Sequence, residues 1–465
     1  MTPVGATQYA APMAWPEHVS RRMADYIHAE VKEMVSQSRL VRKSDGIALV
    51  HRHEILVGEL LGRGAFSEVH RIQVAGNHGN GPRPTFAMKH LKQKLMSQPD
   101  NFRLAASELA VEAHMLASFD HPNIISIHGW AANGVASFTQ GGHDSFFLLL
   151  DCLDETLDCR IQRWQKQQQH NAHHIQQQHQ EQQMGTMNMV ADLWRRFSHN
   201  ELSNGGHMSG HGVLDEEWQL LFLEKLGIVT EIAAALSYLH EKRVIFRDLK
   251  PNNIGFLNGR VKLFDFGLSR ELPGNGDLSQ PFEMSGKVGT LRYMATEVAM
   301  HQPYNVSADV YSWAMVAYEV MTLEKPFAGW TRDMHANLVC GRGARPELNT
   351  VPLALRSVLP ICWDQTPQNR PTMLAVHHKM RLLEEEQVLV LKQHQLHQEQ
   401  QRLQQQELLQ QQQMQQASPN TVVELPRDFQ IASRKAPQRN ISEAFTRSTL
   451  SMSMSGESFA EYQYE

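Results

Sequence analysis

Phe246-Arg-Asp-Leu-Lys-Pro-Asn-Asn253 decides the reading of this chain. An acid, a cation and an amide, Asp248, Lys250 and Asn253, are packed into one short stretch. That combination seldom collects in a loop that merely faces water, so the segment is read as a site. Working outward, four more strings flank it in a fixed order. Gly62-Arg-Gly-Ala-Phe-Ser-Glu-Val69 and Phe86-Ala-Met-Lys89 come before it, and Asp265-Phe-Gly267 and Ala295-Thr-Glu297 come after. Taken alone, each has an ordinary explanation. Gly62 and Gly64 suit a close backbone approach or a plain hairpin turn equally well, and Glu108 and Glu112 could be ordinary acids on one helix face.

Composition narrows the classes. A chain of 465 residues with 42% hydrophobic residues can bury a substantial core, and its length suits two to three domains. The net charge of -5 is mild and the signs are interspersed, which disfavours a nucleic-acid partner. Cys152, Cys159, Cys340 and Cys362 lack C-x-x-C spacing, so neither a disulfide framework nor a structural zinc is expected. A reducing, intracellular and most simply cytoplasmic setting fits. The beginning of the chain shows no basic segment followed by an apolar core, and no apolar run reaches roughly eighteen residues, which argues against secretion and membrane spanning.

Residues 1–53 form an N-terminal extension in which Met23, Ile27, Val31 and Met34 predict an amphipathic helix over Val19 to Met34. Its role is to rest on the main domain or to make a regulatory contact. Alternation then predicts strands over Ile55 to Leu61, Val69 to Val74 and Phe86 to Leu91, with a Gly-rich hairpin tip and a loop over Ala75 to Pro84. Leu104 to Phe119 is helical by period, and Phe146 to Asp151 reads as a buried strand. A Gln/His/Gly-rich insertion over 165–213 is a low-complexity linker that contributes little core. Metal binding by its His170, His173, His174 and His179 is outweighed by that reading. Helices return at Glu216 to His240 and Asp309 to Met321. Over 382–416, Leu382, Leu389, Leu396 and Leu403 repeat every seven residues in a Gln-rich run without apolar partners between, so a solvated helical extension is expected rather than a zipper. Residues 417–465 read as a disordered Ser-rich tail, in which Arg439-Asn-Ile-Ser442 and Arg447-Ser-Thr449 are too short to carry weight as modification sites.

Together the five strings resemble the signatures of a protein kinase, over about Glu54 to Arg381. The resemblance implies an α+β, bilobal fold. A small, mainly antiparallel β N-lobe with one key helix covers 54–150, and a larger α-helical C-lobe covers 151–381. It implies ATP and Mg2+ as cofactors and a protein substrate with a Ser/Thr acceptor. Gly62, Arg63 and Gly64 would close over phosphates, Val69 and Ala87 would cover adenine, and Lys89 would hold phosphates while paired with Glu112 in preference to Glu108. Leu150 stands as gatekeeper, with adenine bonding near Asp151 and Leu153. Asp248 resembles the catalytic base, Lys250 the cation at the transferred phosphate, and Asn253 and Asp265 the metal ligands. Glu297, Arg370 and Asp309 resemble structural residues: an acid paired to a distant arginine, and a buried acid tying the catalytic loop, for which a helix N-cap is the plain alternative.

Four departures are visible. Ser67 replaces a third glycine; Phe246 replaces the usual histidine and should stack on Phe266; Thr296 replaces a proline; and Gly255 replaces a larger residue under adenine, which suggests a roomier or altered base pocket. Lys250 and Gly289-Thr290 resemble serine/threonine kinases, and Cys362-Trp363, Arg370-Pro371 and Gly343-Ala-Arg-Pro346 resemble their tyrosine-kinase-like group. Arg247 before Asp248 resembles kinases switched on by a loop phosphate, with Ser279 or Ser285 as acceptor and Thr290 lining the substrate site. The alternatives are a pseudokinase scaffold that binds nucleotide without turnover, and an assembly protein that self-associates through its Gln-rich segments.

Overall fold

The hairpin that carries the first glycine string forms because alternating apolar residues flank a short turn. Strands β2 (Ile55–Arg63) and β3 (Ser67–Val74) pair antiparallel, and the Gly64 N–H donates to the Ser67 carbonyl at 2.9 Å to close the tip. The computed structural model describes residues 15–41, 47–75, 84–139, 142–182, 212–274, 276–286 and 289–416. The expected tail at 417–465 and the later part of the insertion lie outside the described residues. Met1–Gln398 forms one unit and Glu399–Glu465 a second.

β4 (Thr85–Leu91) continues the sheet beside β3, followed by β6 (Phe147–Asp151), β5 (Ile127–Ala131) and β1 (Ala48–Val50), in the order β1-β5-β6-β4-β3-β2. All neighbours are antiparallel except β1, which runs parallel to β5. Ala48–Val50, placed above in the N-terminal extension, is thus an edge strand of this sheet.

Two helices lie with the sheet. α1 (Glu17–Gln37) buries Ser20, Ala24 and Ile27, one helical stripe. α2 (Pro99–Leu116) starts on a proline, suited to the first helical turn, and buries Phe102, Ala105, Ala106, Leu109, Ala113 and Leu116. The two helices touch through polar edges as well. Glu30 accepts from Ser107 Oγ at 3.0 Å and pairs with Arg103 at 3.5 Å, and the Arg103 guanidinium lies 4.9 Å from the Tyr26 ring centre. Resting on the main domain, one of the two roles foreseen for this segment, is what α1 does.

The second half is helical, with α3 (Leu157–Gln182), α4 (Gly212–Glu241), α5 (Ser307–Thr322) and α6 (Met373–Gln416). The start of the Gln/His-rich insertion therefore continues α3 through Gln182 instead of forming a linker. Glutamine is a good helix former, and the apolar anchors Leu157, Ile161 and Trp164 seed the helix in the core. The side chains of His173, His174 and His179 lie outside the described residues. α5 is buried along nearly its whole length, with Trp313 Nε1 donating to the Val229 carbonyl of α4 at 3.0 Å. On α6, Leu382, Leu389, Leu396 and Leu403 are each about half exposed. Small strands complete this half: β7 (Glu155–Thr156), β9 (Ile254–Leu257) and β10 (Arg260–Leu263) form one sheet, and β8 (Val244–Ile245) pairs with β11 (Arg270–Glu271). The fold is the bilobal α+β arrangement, a mainly antiparallel sheet with α2 followed by a larger helical part. Among the described residues no helix is long and apolar enough to cross a membrane.

Candidate active site

Period-two geometry decides which side chains of the sheet meet. Ala87 and Lys89 share one face of β4, and Val69 stands opposite Lys89 in the β3/β4 register. Lys89 Nζ donates to Glu112 Oε1 at 2.8 Å and Oε2 at 2.7 Å, and to Asp265 Oδ1 at 2.8 Å. Glu112, not Glu108, is therefore the partner. Burial alone would push the Lys89 ammonium down, but Asp265 and Glu112 outweigh it and hold it above the usual lysine range. The same Lys89 charge, against a smaller effect of burial, keeps the Asp265 carboxyl below its usual range. Burial is the larger effect and holds the Glu112 carboxyl above its usual range, with Lys89 drawing it part of the way back. Glu112 Oε1 also accepts the Phe266 N–H at 3.2 Å, which joins α2 to the Asp265-Phe-Gly267 turn.

Asp265 sits just after β10 with a positive φ of 65°, a costly conformation for a residue with a side chain. The hairpin of β9 and β10 fixes it: Phe264 N–H, one residue earlier, donates to the Asn253 carbonyl at 3.1 Å. Asn253 in turn gives its amide hydrogens to the Asp248 carbonyl at 2.9 Å and to Asp248 Oδ2 at 3.0 Å. Lys250 Nζ reaches the same Oδ2 at 2.5 Å. Asp248 Oδ1 accepts the Thr290 N–H at 3.0 Å and its hydroxyl at 3.2 Å. Lys250 also helps to lower Asp265 electrostatically, so the Lys89 group and the Asp248 group, tied through the Phe264-to-Asn253 backbone bond, feel one another's charge.

Beneath this cluster Asp309 accepts from the Phe246 N–H at 2.8 Å, the Arg247 N–H at 2.9 Å and His240 Nε2 at 3.0 Å. Asp309 thus binds loop backbone and is not the helix N-cap, which is Val306. Phe246 packs edge-on against Phe266, with ring centres 5.1 Å apart at 78°. Arg370 and Glu297 form a fully buried two-pronged pair at 2.7 and 2.8 Å. Ala295 and Thr296 lead into the short helix Thr296–Ala299 that carries Glu297.

Other predicted residues fall less centrally. Leu150 is buried beside Ala87 in the β4/β6 register, but Asp151 already donates its N–H to the Ser126 carbonyl at 3.1 Å. Its side chain is engaged as well, with the Ser126 N–H at 2.9 Å and His128 Nε2 at 2.7 Å. Of the roomier or altered pocket expected from Gly255, the structure has the altered one. A Cβ there would lie 2.5 Å from Leu153 Cδ1, so Leu153 fills the vacated volume. The Arg63 side chain turns to the face away from Lys89 and pairs with Glu68 at 3.2 Å, while Gly62 opens onto free space. Of the two loop serines, Ser285 Oγ accepts from Arg247 Nη2 at 2.8 Å, whereas Ser279 Oγ donates to Asp277 at 2.5 Å. Lys92 escaped the sequence reading: its Nζ bonds the Gly64 carbonyl and lies 3.3 Å from the Ala65 carbonyl, holding the hairpin tip from the end of β4.

Comparison with known proteins places this geometry. A family model described as protein tyrosine and serine/threonine kinase matches residues 55–380. The chain belongs to that kinase family. It is 31% identical over 200 residues, 40% of this chain, to the serine/threonine-protein kinase VIK of Arabidopsis thaliana, and covers 43% of that protein. It is 36% identical over 159 residues, 34% of this chain, to the serine/threonine/tyrosine-protein kinase HT1 of the same plant, covering 39% of it. With the mouse serine/threonine-protein kinase Nek11 it shares 26% identity over 348 residues, 74% of this chain and 44% of that kinase. The chain thus spans less than half the length of these curated relatives. Kinases of this family use ATP, typically with a divalent metal.

Proposed function

We propose that this kinase-family chain transfers the γ-phosphoryl group of ATP to serine or threonine hydroxyls of protein substrates. One observation carries the reading: two hydrogen-bonded groups, Glu112 and Asp265 on Lys89, and Lys250, Asn253 and Thr290 on Asp248, are tied together by the backbone bond from the Phe264 N–H to the Asn253 carbonyl, one residue before Asp265. Phosphoryl transfer asks a protein mainly for position and charge. Lys89, fixed by two carboxylates, is a point charge for the α and β phosphates. Lys250 bridges toward the transferred group. Asp248 has both oxygens ordered by donors from the protein and is placed to accept the hydroxyl proton of the substrate. Thr290, already on Asp248 Oδ1, marks where that hydroxyl enters.

The donor set suits Mg2+. Asp265 contributes carboxylate oxygen, and Asn253 spends its amide hydrogens on Asp248, which leaves Oδ1 as its free donor; both are hard oxygens. When bound there, the ion would neutralise phosphate charge. Val69, Ala87, Leu150 and Leu153 would enclose adenine, with the backbone of Leu153 a better hydrogen-bonding partner than the occupied N–H of Asp151.

Regulation through the loop is read from Arg247. Burial lowers its pKa, its Nε is buried without a hydrogen-bond partner among the described residues, and its Nη2 donates to the Ser285 hydroxyl. Among the described residues no carboxylate is paired to this half-buried guanidinium, whose hydrogen-bond partner is a neutral hydroxyl, and a phosphate on Ser285 would supply a directly bonded anion. Ser285 is therefore favoured over Ser279. Purified protein incubated with ATP, Mg2+ and a generic acceptor protein tests the whole reading. Phosphoserine or phosphothreonine on the acceptor is expected, and nucleotide binding without transfer would favour the pseudokinase instead. Mass spectrometry of the active enzyme is expected to find phosphate on Ser285; an unmodified loop would end the regulatory part.

A further inference from the structure

The face of β3 and β4 that points away from Lys89 carries polar groups that phosphoryl transfer does not use. Glu68 and His70 share that face of β3, and Glu68 stands opposite His90 of β4. One ligand atom from each of these three residues lies within 4.8 Å of the other two. His70 Nδ1 is 3.0 Å from His90 Nε2, with the rings only 16° from parallel. Two imidazole nitrogens held at about 2.0–2.1 Å by one tetrahedral zinc ion lie about 3.3 Å apart, so the pair needs to open by only a few tenths of an ångström.

The surroundings fit ligation. His90 is 2% exposed, and its Nδ1 lies 2.9 Å from the Leu91 carbonyl. A carbonyl acceptor requires the proton on Nδ1, which leaves the Nε2 lone pair facing His70. A backbone carbonyl orienting the far nitrogen is how metal-binding histidines are commonly held. The ring of His143 packs against His90 at 5.6 Å, and its own Nδ1 is buried with no hydrogen-bond partner among the described residues. The competing partner is Arg63, which pairs with Glu68 but is 67% exposed and free to swing away.

We propose that Glu68, His70 and His90 bind a divalent transition-metal ion, Zn2+ above all, on the outer face of the sheet beside His143. Two nitrogens and one carboxylate select such an ion over Mg2+, which takes oxygen donors and belongs to the cleft on the other face. On binding, the His70 proton passes from Nδ1 to Nε2 and no proton is lost. The ion would tie β3 to β4 one residue from Lys89, close behind the tip of the Gly-rich hairpin. The site stands independently of the proposed catalytic function.

The test uses the full chain with His170, His173, His174 and His179 replaced by Gln, so that the Gln/His tract cannot compete. Metal-free protein is titrated with Zn2+ by calorimetry, and with Co2+ by visible absorption. One equivalent is expected to bind, with affinity falling more than about tenfold in Glu68→Gln and in His70→Gln, exposed enough for both variants to fold. Circular dichroism confirms that they do. No stoichiometric uptake, or uptake that neither substitution weakens, would overturn the site.

Discussion

Ser38, just beyond the end of α1, donates its hydroxyl to Glu271 Oε2 at 2.6 Å across most of the N-terminal half of the chain. The same Ser38 oxygen accepts the Leu40 N–H at 3.1 Å and lies 3.1 Å from His114 Nε2 on α2. Arg39 adds its N–H to Glu271 Oε1 at 2.7 Å and its guanidinium to the Gly274 carbonyl at 3.0 Å. One short segment therefore clamps the helix that carries Glu112 to the strand that follows Asp265-Phe-Gly267. Ser38→Ala removes the hydroxyl at the centre of the clamp. We expect a stability loss of about 1–2 kcal/mol, and a kcat lowered about threefold to tenfold at a temperature where the protein is fully folded, for about 1 kcal/mol of lost positioning. Steady-state kinetics beside urea unfolding separate the two. A lower unfolding midpoint with unchanged kcat would make the clamp structural only.

Asp248→Asn keeps the size of the side chain and its bond from Thr290 while removing the basic oxygen. Turnover is expected to fall roughly a hundredfold to ten-thousandfold, with ATP affinity nearly unchanged because the Lys89 and Asp265 contacts are untouched. Nucleotide titration by fluorescence and a phosphotransfer assay on the same preparation check this. Wild-type turnover in the variant would remove Asp248 from the base role.

The five strings are enough to foresee the bilobal fold and the charge cluster, because each string is short and its side chains are held by local backbone: a hairpin, a helix turn, a β9–β10 corner. What escapes them depends on contacts between distant segments. Ala48–Val50 joins the sheet by backbone pairing to β5, and edge pairing leaves almost no mark on side-chain choice. Ser38 and Glu271 are unremarkable residues until the fold brings them together. Gly255 suggests empty space because the compensating Leu153 comes from another strand connection. Helical period puts Glu108 and Glu112 on one face, and only the position of Lys89 chooses between them. Composition makes the Gln/His tract a linker, whereas its first part simply continues a helix already anchored by Trp164.

Glu297 and Arg370 are both almost wholly withdrawn from water, and Arg370 also donates to the Asp364 carbonyl at 2.9 Å and the Ser307 carbonyl at 3.1 Å. Removing one partner strands the other charge without solvent. Glu297→Gln is therefore expected to cost about 3–5 kcal/mol, far more than an exposed pair such as Arg21 with Glu17. Urea unfolding of Glu297→Gln and Glu17→Gln side by side checks the contrast. Equal, small losses would mean that water reaches the buried pair.

Lys225 presents the opposite case, a buried cation with little to hold it. Its Nζ donates to the Met321 carbonyl at 3.2 Å and lies 5.5 Å from the Trp164 ring centre, and burial lowers its pKa to about 8 despite the nearby Glu224. With the folded value below the unfolded one, the unfolded chain holds the proton more tightly between about pH 8 and the ordinary lysine value. Stability contributed by this group is thus fully present only above that ordinary value and is lost as pH falls through about 8. At pH 7 both states are charged and the desolvation penalty is complete, of the order of 3 to 4 kcal/mol before the lost carbonyl bond is set against it. Lys225→Met, similar in shape and uncharged, is expected to stabilise the protein at pH 7 by about 1–2 kcal/mol. The gain should shrink toward pH 10 as the wild-type lysine sheds its proton on folding. Denaturant midpoints for both proteins from pH 7 to 10 measure it, and a gain independent of pH would show that Lys225 is not the titrating group.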